Sequence, residues 1–185
     1  MSSHDEAPVG EDRYVNTRLD QLALDIERQV AGAGWDQPPA LFALVETADL
    51  LRREPQLAAE LGLTDDVPGS LTPVDQGELP EHRSLDELLG AIVWPVEVLG
   101  TALAVERLMV PPAVEQEMPQ DESEALSWLA EHPERQEVRI VVAVLRDGSR
   151  ASALRMRAHD HEQSVLTGAD LVPGLADALS ATLTD

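Results

Sequence analysis

Residues 137–158 read EVRIVVAVLRDGSRASALRMRA. Two runs rich in β-branched and small apolar residues meet at Arg146-Asp147-Gly148, the composition of two strands and a tight turn. The register matters, because a slip of one residue inverts every face. A two-residue turn at Asp147-Gly148 pairs Arg146 with Ser149 and mixes Val138, Ile140 and Val142 with arginines. A three-residue loop avoids this. With Arg146 and Asp147 in a type I turn and Gly148 left-handed, Leu145 lies opposite Ser149, Ile140 opposite Leu154 and Val138 opposite Met156. One face then holds Val138, Ile140, Val142, Val144, Leu154 and Met156, a core face. The other holds Arg139, Val141, Ala143 and Leu145 beside Ala151, Ala153, Arg155 and Arg157.

That second face raises a question of charge. From Arg135 to Arg157, six arginines stand against Glu137 and Asp147, a net +4 in a chain of −22, so the remainder carries −26. Arg139 and Arg155 face each other across the strands, and like charges so placed need anions between them. Two sources are open. The chain's own carboxylates can supply them, from a covering helix or from the acidic loop 115–124. Alternatively the face docks an acidic partner or a second copy of the chain, with Val141, Ala143 and Leu145 as its apolar centre. On that second reading Arg139, Val141, Ala143, Leu145, Arg155 and Arg157 form a partner-binding face.

Composition sets the class. At 185 residues, 43% of them hydrophobic, the chain can bury roughly 70% of its unfolded surface. It contains no cysteine, which excludes thiol nucleophiles, cysteine-ligated metals and disulfides. All 13 basic residues are arginine, a coding bias expected of a G+C-rich bacterial genome. The excess of negative charge repels phosphates, so nucleic acid is not an expected partner. No apolar run reaches a membrane span and the N-terminus is acidic, so membrane insertion is not expected and the cytoplasm is the expected compartment.

Outward from the hairpin, residues 1–12 read as a disordered acidic tail and residues 13–185 as one domain. Val15, Leu19, Leu22, Ile26 and Val30 recur at helical spacing over 13–31, with Asp12 as N-cap and Gly32-Ala33-Gly34 as the stop. The continuous apolar run 40–46 predicts a strand covered on both faces. Residues 47–53 are ambiguous. A short helix follows at 55–61, then a weak edge strand at 71–74 carrying Pro73. Ser84-Leu85-Asp86-Glu87 is a capping box. Residues 98–110 form a long strand, whose small residues Gly100, Ala102 and Ala104 imply that another element comes close. Asp121 caps a helix carrying Leu126 and Leu129, which ends at His132-Pro133. Leu166-Thr167-Gly168 reads as a turn. Asp170 opens a last helix with Pro173 in its first turn. The result is an α+β fold: a mixed, largely antiparallel sheet of about five strands with helices packed on it, ending in the β-hairpin and a C-terminal helix.

The segments GWDQPPALFALVETADLL, LTPVDQGELP, AIVWPVEVLGTALAVERLMVPP, HPERQEVRIVVAVLRDG and LRMRAHD, followed by LTGADLVPGL, occur here in that order. In them the chain resembles an uncharacterised actinobacterial protein family, over roughly Val15 to Leu183. The resemblance implies no activity, cofactor or catalytic residue for any position.

Chemistry is sparse. His159 and His161, with Asp160 and Glu162, form the most metal-like cluster, but a polar loop with two histidines and no third ligand in the pattern is the stronger reading, so no metal is expected. There is no Gly-x-Ser-x-Gly, and without lysine there is no P-loop, Schiff base or pyridoxal chemistry; no cofactor is implied. His82 and His132 sit at helix borders without a partner motif. Trp35 and Trp94, beside prolines, read as core anchors, and Trp128 as either core or interface. The expected function is a non-enzymatic protein-interaction or adaptor domain. The alternative is an enzyme or small-ligand protein with a site built from scattered groups such as Glu106, Arg107 and His159.

Overall fold

A computed structural model describes residues 11–64, 67–80 and 83–184. The expected acidic tail lies outside them apart from Glu11 and Asp12, which already belong to the first helix, and His82 lies outside them as well. The elements are α1 (Glu11–Ala31), β1 (Ala40–Glu46), α2 (Thr47–Arg53), α3 (Pro55–Glu60), β2 (Leu71–Glu78), α4 (Leu85–Gly90), β3 (Val98–Met109), α5 (Pro112–Glu115), α6 (Glu122–Glu131), β4 (Gln136–Leu145), β5 (Arg150–Met156), β6 (Leu166–Gly168) and α7 (Pro173–Ala181). Among the described residues, six strands form one sheet in the order β2-β1-β3-β4-β5-β6. Every neighbouring pair is antiparallel.

The hairpin of β4 and β5 adopts the three-residue loop. Val138 pairs with Met156 and Ile140 with Leu154. The Gly148 N–H donates to the Leu145 carbonyl at 3.0 Å and the Leu145 N–H to the Ser149 carbonyl at 2.9 Å. Gly148 has φ +90°, a conformation that costs an L-residue its Cβ clearance but costs glycine nothing.

The sheet is covered on both faces. On one, Val138, Ile140, Val142, Val144 and Leu154 pack with Leu103 and Val105 of β3 beneath α7 and α4. On the other, Val141, Ala143, Ala151, Ala153, Ala102 and Ala104 pack against Leu19, Ala23 and Ile26 of α1. The alanines are what permit this second layer: they remove the side-chain height that would hold a helix off the strands. Gly100 serves another close approach, since a Cβ there would collide with the Val144 carbonyl and the Leu145 side chain.

Several boundaries differ from expectation. Residues 47–53 are helical, and residues 166–168 form a sixth, edge strand paired with β5 where a turn was expected. The last helix starts at Pro173 with Val172 as its N-cap. Asp170 does not open it, and faces Arg150 at 3.8 Å. The capping box at Ser84 and Glu87 forms both of its hydrogen bonds. β2 is the other edge, as Pro73 foretold, and runs on to Glu78.

Candidate functional site

The structure brings the hairpin arginines to one place, beneath the chain's own first helix. Glu27 projects from the buried face of α1, four residues after Ala23, and is 0% exposed. It receives Arg155 Nε on Oε1 and Nη2 on Oε2, both at 2.7 Å. Arg139 Nη1 donates to the same carboxylate at 3.5 Å and Nη2 to Glu106 at 3.0 Å. Arg139 Nη2 also donates to the Gly34 carbonyl. Arg139 and Arg155 are 1% and 5% exposed. The anions between the two arginines therefore come from a covering helix and from β3. The acidic loop 115–124 supplies none of them among the described residues.

The cluster extends to the surface through the turn after α1. Trp35 lies over the Arg139 guanidinium, 4.4 Å from its ring centroid, and donates Nε1–H to Asp160 at 3.1 Å. It is half-buried, so it caps the ionic cluster, whereas a core position was expected. Trp94 does lie in the core, with Nε1–H donating to the Thr182 hydroxyl at 3.0 Å. Asp36, at φ +64°, presents both carboxylate oxygens to Arg157 at 3.1 and 3.2 Å, and Glu137 takes the same guanidinium at 2.5 Å. Asp tolerates this left-handed conformation better than most residues. Hydrogen bonds from Trp35 and then Arg155 hold the Asp160 carboxyl below its ordinary value. The Glu27 hydrogen bond raises the Arg155 guanidinium, with Asp160 adding to it.

Of the residues read as a partner face, Arg139, Val141, Ala143 and Arg155 are thus buried against α1. Leu145 is half-buried at the edge of the same cluster, and Arg157 is exposed but paired. The surface they were expected to offer a partner is occupied by the chain itself. His159 and His161 are exposed on a short helical turn and the bend after it, while Asp160 between them turns towards Arg155. Among the described residues no group of three or more His, Asp or Glu is placed to hold a metal ion. The cluster's carboxylates and guanidinia are engaged with one another, so it offers neither a free base nor a free cation to a substrate. Among the described residues the buried Arg139 Nε of this cluster has no partner.

Arg146, read only as a turn residue, does more. From the hairpin tip its Nε donates to the Val98 carbonyl at 2.8 Å and its Nη2 to Trp94 and Pro95 at 3.2 Å each. Nη1 reaches the Leu183 carbonyl. It ties β4, the loop before β3 and the end of α7 together.

Like the valines of the loop 91–97, α6 faces outward. Asp121 caps it, accepting from the Glu124 N–H at 3.0 Å. Of the three helices longer than eight residues among the described residues, α1 and α7 bury apolar side chains, but α6 buries none. Leu126 is 63% exposed. Trp128 is half-buried, its ring 4.6 Å from that of His132. From Pro112 to Glu131 the chain carries six carboxylates and no arginine. The α6 surface is an apolar ridge on an acidic ground.

A family model described as PPA1309-like protein matches residues 19–184. The chain belongs to the PPA1309-like family. The PPA1309-like region begins at the buried Leu19 of α1, and so contains Glu27, the sheet, α6 and α7. No curated protein and no solved structure matches the chain.

Proposed function

We propose that this PPA1309-like protein is a non-catalytic interaction domain and that α6 is its docking element. The observation that supports this reading is the contrast among the helices: α1 and α7 bury their apolar stripes, whereas Leu126, Trp128 and Leu129 sit on a ten-residue helix with no buried residue. Tryptophan is a frequent interface anchor, and an exposed apolar patch with a polar rim marks an interaction surface. Charge selects the partner. Six carboxylates without a counter-charge in residues 112–131 favour a basic amphipathic segment, whose apolar residues cover Leu126 and Trp128 while its cations meet Glu122 and Glu124. The same reading takes the protein as cytoplasmic and actinobacterial, supported by an all-arginine basic complement and the lack of cysteine.

The test compares wild type with Leu126→Asp as bait in the native host at low salt. Leu126 is 63% exposed, so the substitution should leave stability within about 0.5 kcal/mol. A partner held by wild type, released by salt and lost with Leu126→Asp is the expected result. Identical capture by both baits removes α6 from the interface.

A further inference from the structure

A cleft of about 550 Å³ opens between α1, residues 67–71 and the end of β4. This volume lies within the range of small-molecule sites, roughly 300–1,000 Å³. Its walls are apolar: Leu19 and Leu22 from α1, Val67 and Leu71 from the segment leading into β2, and Leu145 from the hairpin. At its rim stand one cation and one anion, Arg18 and Asp25. They differ in what they already hold. Asp25 accepts from Gln21 at 2.9 Å and from Arg28 at 3.3 Å, so its charge is matched. Arg18 donates only to the Pro68 carbonyl, at 3.1 Å, and meets no carboxylate among the described residues.

The place of Arg18 is built. Gly69 has φ +74°, and a Cβ on it would stand 2.9 Å from Arg18 Nη1. The left-handed backbone is what calls for glycine here, and the guanidinium lies against it. Among the described residues Arg18, like Arg146, meets backbone carbonyl and no carboxylate, whereas Arg139, Arg150, Arg155 and Arg157 each meet one. Unlike Arg146, which is spent on four carbonyls, Arg18 holds one and stands beside an apolar cleft.

We propose that this cleft binds a monocarboxylate with an apolar body, of the medium-chain fatty-acid class. The alkyl chain lies between the leucines and Val67, and the carboxylate takes the N–H groups of Arg18 that have no acceptor among the described residues, the planar fork matching it. The neighbouring Asp25 and the overall acidity disfavour a dianion such as a phosphate monoester. The inference does not rest on the α6 reading, and Leu126→Asp should leave it untouched.

Calorimetric titration of the full-length protein with decanoate, below its micellar concentration, tests it. One saturable equivalent is expected, weakened at least tenfold in Arg18→Gln and in Leu22→Asp, with 1-octanol binding reduced by the second substitution and not the first. Melting temperatures of both variants show that they are folded. Arg18→Gln and Leu22→Asp act on opposite ends of the ligand, so a folding defect in one leaves the other as a test. Absence of saturable binding to wild type, or equal decanoate affinity in Arg18→Gln, overturns the proposal.

Discussion

Glu27 is a carboxylate with no exposure, set between two guanidinia that are themselves buried. Such an arrangement contributes little net stability when intact, because desolvation of the three charges offsets their attraction. Removing one member is different, since the others stay buried without a counter-charge. Glu27→Gln should therefore cost about 3–5 kcal/mol, read as a lower urea midpoint. A variant as stable as wild type would mean that Arg139 and Arg155 find other anions, Glu106 and Asp160 being nearest. Asp160 supplies a pH dependence of known sign. Its folded pKa is lowered by Trp35 and Arg155, so its contribution is complete above the unfolded value of about 3.9 and is lost as pH falls through the folded one. Asp20, raised by burial, acts in the opposite sense, its penalty being relieved on protonation. Asp160→Asn separates the two: it should melt lower than wild type at pH 7, and the gap should close as pH falls below the unfolded value and through the folded one. The Asp160 side chain is 47% exposed, and solvent screening keeps the gap to about 1 kcal/mol. A gap unchanged at low pH would assign the effect to shape and not to charge.

Within elements, the hairpin is the best determined by local chemistry. Its loop needs a left-handed residue at 148, and Gly148 at φ +90° provides it. No heavy atom lies within 4 Å of a Cβ placed there, so the cost of Gly148→Val is conformational and not steric crowding by the rest of the fold. It should destabilise by about 1–2 kcal/mol, measured by chemical denaturation. An unaffected midpoint would show that the loop can change type without loss. α6 illustrates the reverse case. Its Asp121 cap and its stop at His132-Pro133 are set by local sequence, yet nothing local says which side its leucines and tryptophan face or what meets them.

At the scale of the molecule, three layers stack: α1, the sheet, then α4 with α7. The spacing of the first two is set by Ala102, Ala104, Ala143, Ala151 and Ala153, all buried at 4% exposure or less. Ala153 lies at the centre of β5, paired with Val141 and Thr167. Ala153→Leu adds three carbons where α1 rests and should cost about 1–3 kcal/mol. Because α1 also carries Glu27, the same change should loosen the ionic cluster, seen as faster amide exchange of the Arg155 segment than the loss of global stability explains. Destabilisation without local loosening would show that α1 shifts as a rigid body.

What the sequence determined by itself is what short-range rules govern. The confinement of Arg139, Arg155 and Arg157 to one face, together with the demand for a left-handed glycine, sets the hairpin register, because a one-residue slip mixes arginines with Val138, Ile140 and Val142. Capping chemistry sets α4 and α6, and proline at 73 sets an edge. The small residues of β3 announced a close neighbour without naming it. Tertiary structure alone decided that the neighbour is α1. The helix carries one apolar stripe, and its rotation, which sinks Ala23 and Glu27 deeper than Leu22 and Val30, follows from alanines on strands remote in sequence. A glutamate on a helix reads as solvated until two arginines are known to lie beneath it. The spacing of Ala23 and Glu27, with unpaired arginines on a buried hairpin, was the only sign. The sixth strand, three residues long, likewise has no pattern of its own. It forms because β5 presents an unpaired edge, and hydrogen-bonding that edge is a property of the assembled sheet.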